Sequence, residues 1–287
     1  MYTTLISVEQ LQALHASGQP LMVFDCSFEL MKPQEGDAQY LQAHLPGAVR
    51  ADVNRDLSFH GDLADTPASG GRHPLPSRDH FARWLARVGF DSTMQAVVYD
   101  RQGANYCGRL WWMLKWVGHE AVAVLDGGLQ AWQAAGGAIS SGPETPRAAS
   151  GFTASPEKAD LASTERVVQH LGQPSQTIID ARATPRYRGE VEPLDPVAGH
   201  IPGALNRPFG LNLSPDGKFK HAEQLKAEFM ELLAGRDPRS VVHQCGSGVS
   251  ALPNLLAMEI AGLGHTALYA GSWSEWCSHT SRPVAKG

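Results

Sequence analysis

The stretch "VVHQCGSGVSALPNLLAMEIAGLGH", Val241 to His265, decides how this chain is read. A short apolar run ends at Cys245, small residues and glycines follow, and then a helical pattern begins. Strands that alternate with helices imply a parallel sheet covered by helices on both faces. In such sheets, sites form in loops beyond the carboxyl ends of strands, and Cys245 stands at that place. Backbone N–H groups just ahead of a helix have no partner within it. Gly246 and Gly248 let successive amides turn inward into one concave nest. The helix N-terminus adds the positive end of its dipole. Such a nest favours an anion, and at a cysteine it favours the thiolate. Pro253 suits a first helical turn, where its missing N–H costs nothing. A lone cysteine is most often an inert, buried small hydrophobe. This context predicts a reactive one, with Gly246, Gly248, Val249 and Ser250 forming the cradle.

Two rival chemistries meet obstacles in the same stretch. A cysteine phosphatase places an arginine six residues after its thiolate, and that position here is Ala251. The clamp for a dianionic phosphoryl group is therefore absent. A thiol hydrolase needs a histidine base within hydrogen-bond reach. His243, two residues before Cys245, would share its strand face, but no oriented Cys–His–Asn pattern is legible.

The whole chain has the composition of a globular protein. It has 287 residues, 43% hydrophobic and 18% charged, with a formal net charge of −5. That length suits two domains, and that charge offers no bulk attraction to nucleic acid or an anionic membrane. No segment approaches the roughly 20 apolar residues that span a bilayer. The opening "MYTTLISVEQLQALHASG" reads as a short strand and an amphipathic helix capped by Ser7, not as a signal peptide. The cysteines at 26, 107, 245 and 277 show neither metal-ligand spacing nor a disulfide framework. A reducing cytoplasm is the expected compartment.

The chain also repeats itself. "VFDCSF" (Val23 to Phe28) resembles "IIDARA" (Ile178 to Ala183), and "HLPGA" from His44 resembles "HIPGA" from His200. "VVYD" (Val97 to Asp100) resembles "VVHQ" (Val241 to Gln244), and "VGHEAVAVLDGGLQAW" resembles "LGHTALYAGSWSEW". The order is the same in both halves and the offset nearly constant. Two copies of one domain follow, at 1–140 and 159–287, joined by a Gly-, Ser- and Pro-rich linker at 141–158. Asp25, Asp180, His44 and His200 occur in both copies, whereas only the second has the cysteine. Their duplication predicts architectural roles. The helix "LWWMLKW" carries tryptophans nearly all round, which predicts core or interface rather than a nucleic-acid stacking platform. "GGLQAW" lacks the spacing of a dinucleotide fingerprint.

With these residues in view, the chain resembles the tandem-domain rhodanese family over nearly its whole length. "YLQAHLPGA" (Tyr40 to Ala48) is similar to the family's N-terminal signature and "ALYAGSWSEW" (Ala267 to Trp276) to its C-terminal one. The resemblance implies two α/β domains, each a central parallel sheet with helices on both faces, only the second carrying a catalytic cysteine. "CGSGVS" is similar to the Cys-Gly-Ser-Gly-Val-Thr loop of the 3-mercaptopyruvate branch, differing at Ser250. Thiosulfate-using relatives have basic residues there. The resemblance further implies a Ser–His–Asp relay of Ser247, His73 and Asp52, and a donor carboxylate bound by arginines before "HIPG". Arg186 matches the first arginine. Asp195 stands where the second is expected, so Arg188 is its candidate substitute.

The expected function is therefore sulfur transfer from a small anionic donor, through a Cys245 persulfide, to a thiol, a thioredoxin-like reductant or cyanide. Mercaptopyruvate is the favoured donor and thiosulfate the alternative; a non-catalytic persulfide carrier is a third possibility. Ping-pong kinetics are expected, with no metal, organic cofactor, nucleic-acid or membrane partner.

Overall fold

The computed structural model describes residues 1–61 and 65–287. The first unit comprises Met1–Thr66, Pro76–Lys158 and Pro215–Lys218. The second comprises Pro67–Leu75, Ala159–Ser214 and Phe219–Gly287.

In the first unit, strands and helices alternate: β1 (Leu5–Ile6), α1 (Val8–Ala16), β2 (Leu21–Asp25), α2 (Glu35–Gln42), β3 (Val49–Arg50), α3 (Arg78–Arg87), β4 (Gln95–Tyr99), α4 (Cys107–Trp116), β5 (Val122–Leu125) and α5 (Gly128–Ala134). The second unit repeats the order: β6 (Asp160–Leu161), α6 (Thr164–Gln169), β7 (Thr177–Asp180), α7 (Thr184–Tyr187), β8 (Leu205–Asn206), α8 (Ala222–Leu233), β9 (Val241–Gln244), α9 (Leu252–Ile260), β10 (Ala267–Leu268) and α10 (Ser272–Trp276). Each sheet is parallel and five-stranded, ordered β1-β5-β4-β2-β3 and β6-β10-β9-β7-β8. The central strands β4 and β9 are buried along their whole length. Burial along the whole strand is what a parallel strand covered on both faces shows, and here it takes in Gln95 of β4 and His243 and Gln244 of β9.

Local signals act as read. The Ser7 hydroxyl accepts the Gln10 N–H at 3.2 Å, and the Gln10 side chain returns a bond to the Ser7 N–H, a capping box for α1. Pro253 lies in the first turn of α9. Every residue of α4 is buried, with Lys115 over the Trp111 ring at 4.3 Å; the aromatic helix is core.

The duplicated polar residues serve the fold in both units. Asp25 and Asp180 end β2 and β7 and accept the N–H two residues on, from Ser27 and Arg182. His44 and His200 stack on Tyr40 and Tyr187, and each ring Nδ1 meets the carbonyl of the same tyrosine.

The two units divide between Lys158 and Ala159, with Pro67–Leu75 in the second unit and Pro215–Lys218 in the first. The 141–158 segment is also no free tether. Glu144 accepts the Gly47 N–H, Phe152 is buried against Phe90, and the Ser155 and Lys158 amides bond to Val117 and Lys115. Its linker-like composition reflects extended backbone lying on the first unit.

Candidate active site

Cys245 follows directly on β9 and is 2% exposed. Its backbone is held by the segment after β10. The Cys245 carbonyl accepts the Trp273 N–H at 3.0 Å, and the Gly246 carbonyl accepts the Ser274 N–H at 2.9 Å. The Cys245 N–H donates to Ser272 Oγ at 3.1 Å, and that hydroxyl donates to the Tyr269 carbonyl at 2.9 Å. Ser272 achieves this with φ +54°, a region that side-chain-bearing residues rarely adopt. Gly248 has φ +73°, and a Cβ there would run into the Ala270 carbonyl. Glycine is therefore obligatory at that turn of the loop.

The first unit contains a counterpart of this loop, which differs at Ala104, left-handed with φ +65° where Val249 is not. Register pairs Asp25 with Tyr99 on β2 and β4, and Asp180 with Gln244 on β7 and β9. The residue after the strand is Asp100 in one loop and Cys245 in the other, an offset of 145. Gly103 (φ +64°) and Gly248 match at that offset, as do the first residues of α4 and α9. The likeness of "VVYD" to "VVHQ" is thus one residue out of register. The Asp100 carboxylate accepts four backbone N–H groups: Gln102 at 2.9 Å, Ala104 at 3.1 Å, Tyr106 at 2.8 Å and Cys107 at 2.9 Å. Their counterparts in the second loop are Ser247, Val249, Ala251 and Leu252, of which Leu252 N–H turns to the Val249 carbonyl at 3.2 Å. The anion nest expected around Cys245 is visible in the first unit with an anion in it.

Ser247 and His73 meet: His73 Nδ1 lies 2.7 Å from Ser247 Oγ, and both residues are buried. His73 arrives on the strap Pro67–Leu75. That strap is fastened by the Gly70 N–H to Glu275 at 3.2 Å and the Arg72 N–H to Ser274 Oγ at 3.0 Å. Gly71 (φ +87°) lets it lie close, since a Cβ would come within 2.6 Å of the Gly271 carbonyl. Asp52 belongs to the first unit, where Oδ1 accepts the Asn54 and Arg55 N–H groups and Oδ2 accepts from Arg50.

The arginines differ from expectation at one position. A Cβ on Gly246 would lie 3.1 Å from Arg72 Nη2 and 3.6 Å from Arg186 Nη1. Arg186 thus lies beside the cysteine loop. Arg188 is the C-cap of α7, more than half exposed, with its nearest carboxylate Glu190 at 3.8 Å. The second guanidinium beside the loop belongs to Arg72, adjacent to His73 in sequence. Arg72 and Arg186 both bond to Asp195, at 2.6 and 3.3 Å, and Arg186 also bonds to Glu192 at 2.7 Å. A third arginine, Arg182, is buried against Asp180 at 2.6 Å and over the Trp273 ring at 4.8 Å. Sequence reasoning passed over it inside the repeated "IIDARA".

Other nucleophiles and bases near these strands are silent. Burial lowers the pKa of His243 to about 3, and neither ring nitrogen has a hydrogen-bond partner. It is a neutral core residue, not a base for Cys245. Burial, with Asp25 and Asp100 nearby, raises Cys26 and Cys107 well above the usual thiol range, and burial with Asp195 raises Cys277. A cavity of about 680 Å³ lined by Thr177, Pro202, Ala234 and Arg236 lies at the amino end of β7. Cys245 follows the carboxyl end of a strand parallel to it, so that cavity is not part of this site. Among the described residues, no His, Cys, Asp and Glu cluster could hold a metal, and no helix is long and apolar enough to cross a membrane.

A cysteine in an amide nest on a doubled parallel α/β domain is the arrangement of a rhodanese, and sequence comparison agrees. The Rhodanese-like domain family matches residues 7–135 and 163–279. The chain belongs to that family and is a sulfurtransferase. It is 45% identical over 284 residues to the "Probable 3-mercaptopyruvate sulfurtransferase" of Pseudomonas aeruginosa, covering 99% of this chain and 98% of the relative. It is 33% identical over 275 residues to the thiosulfate sulfurtransferase of Gallus gallus, covering 94% and 90%. The solved structure of 3-mercaptopyruvate sulfurtransferase from Leishmania major superposes with a TM-score of 0.81 at 32% identity, over 98% of this chain and 76% of that one.

Proposed function

We propose that this sulfurtransferase takes its sulfur from 3-mercaptopyruvate, holds it as a Cys245 persulfide, and passes it to a thiol, a thioredoxin-like reductant or cyanide. The observation that carries this is the pair of guanidiniums, Arg72 and Arg186, beside Gly246, next to a loop "CGSGVS" that has no charged side chain of its own. A planar carboxylate suits such a pair.

The Cys245 thiolate attacks the donor sulfur, and the carbon–sulfur bond breaks with its electron pair passing to carbon. The donor thiol's proton ends on that carbon, giving pyruvate, and the enzyme keeps Cys–S–S⁻. Ser247 and His73, 2.7 Å apart, are the pair through which the proton moves. The amides of Ser247, Val249 and Ala251 face the persulfide charge as an oxyanion hole would. A second thiolate or cyanide then attacks the outer sulfur and frees Cys245.

Thiocyanate formation with cyanide as acceptor tests this, with Cys245→Ser as blank. Mercaptopyruvate should exceed thiosulfate by tenfold or more in kcat/KM, about 1.4 kcal/mol. A preference for thiosulfate overturns the donor assignment. A single sulfur accepted without turnover makes the chain a carrier.

A further inference from the structure

We infer that Asp195 sets the charge of donor that the site accepts. Arg72 Nη1 lies 2.6 Å from Asp195 Oδ1, and Arg186 Nη2 lies 3.3 Å from Oδ2. The Asp195 side chain is 4% exposed, so solvent screens these contacts weakly. Two guanidiniums this close repel unless an anion lies between them, and Asp195 is that anion. It engages Arg72 through Nη1 and Arg186 through Nη2, while Arg72 Nη2 and both terminal nitrogens of Arg186 lie close to Gly246. Glu192 does not share this task. It is committed to Arg186 and to the Leu194 and Asp195 N–H groups, 3.5 Å from Arg182.

The formal charges of this cluster balance. Arg72, Arg182 and Arg186 face Asp180, Glu192 and Asp195. A carboxylate donor brings one negative charge into a site whose three guanidiniums are already matched by three carboxylates and which also holds the attacking Cys245 thiolate, and a dianion such as thiosulfate brings two. Coulomb energy scales with that charge, so Asp195 penalises the dianion about twice as strongly. The inference rests on the carboxylate-donor reading for its physiological meaning, but its test does not.

The test compares kcat/KM for thiosulfate and mercaptopyruvate in wild type, Asp195→Asn and Asp195→Glu. Asp195→Asn should shift the thiosulfate-to-mercaptopyruvate ratio at least tenfold towards thiosulfate, through a lower thiosulfate KM. Asp195→Glu keeps the charge and should hold the ratio within about threefold of wild type. Each ratio comes from one preparation, so partial loss of folded enzyme cancels. Equal changes for both donors in Asp195→Asn, or the same shift in Asp195→Glu, overturn the inference and leave Asp195 a purely structural residue. A wild type that prefers thiosulfate overturns the donor assignment alone, because the shift between variants still decides Asp195.

Discussion

The loops after β4 and β9 share a turn and differ in what fills it. Both turn on a left-handed glycine and both lead into a helix. In the first, Asp100 carries a permanent negative charge that accepts four amides. In the second, Cys245 places a sulfur atom at the same position in the chain. The fold therefore supplies an anion cradle, and one residue decides whether that cradle is closed or available for chemistry. The segments beneath the loops differ in the same sense. Gly128 has φ +58° and Ser272, its counterpart, φ +54°. The first unit uses the residue that tolerates this backbone. The second accepts strain at a serine whose hydroxyl receives the Cys245 N–H, as functional sites commonly do.

The strongest way to break this comparison is to make the loops alike. Cys245→Asp should abolish turnover and yet unfold at higher urea than Cys245→Ser, because the carboxylate satisfies the cradle as Asp100 does. Equal or lower stability for the aspartate variant would show that the two loops are not equivalent. Next, Asp100→Ala strips an anion from four amides in the first unit. It should cost about 3 kcal/mol or more by urea unfolding, since buried unsatisfied donors cost about 1–3 kcal/mol each. Gly248→Ala should destabilise by about 2 kcal/mol and suppress persulfide formation, through its φ and its clash with Ala270; a harmless Gly248→Ala would sink the argument for an obligatory glycine. The smallest effect separates strain from hydrogen bonding. Ser272→Ala should lose about 1 kcal/mol, whereas Ser272→Gly should be at least as stable as wild type, and both should slow sulfur uptake. Normal kinetics in both would show that the Ser272 hydroxyl does not position Cys245.

Much of this was legible in the chain because it is local. The strand, Cys245, glycines and helix lie within one short stretch, and the duplication repeats short motifs in fixed order. Three features were not legible, each for a physical reason. Arg72 meets Asp195 across 123 residues, so nothing local distinguished it from Arg188, which sits beside Arg186 in sequence and projects to solvent. The register of "VVYD" against "VVHQ" depends on cross-strand bonds from Asp25 and Asp180, which similarity of the strand residues conceals. The 141–158 segment lies on the first unit through backbone bonds, which composition does not encode.

The Asp100 cradle has a consequence for the working enzyme. An anion in this loop acts as a ligand that binds the folded domain and not the unfolded one, and any such ligand stabilises the fold. The first domain holds its ligand covalently from synthesis onward. The second holds its negative charge on the cysteine sulfur between turnovers and one sulfur further out once it is loaded. Resistance of the catalytic domain to heat or protease should therefore differ between the free and the sulfur-loaded enzyme, and that difference reports which position of the charge the cradle fits better.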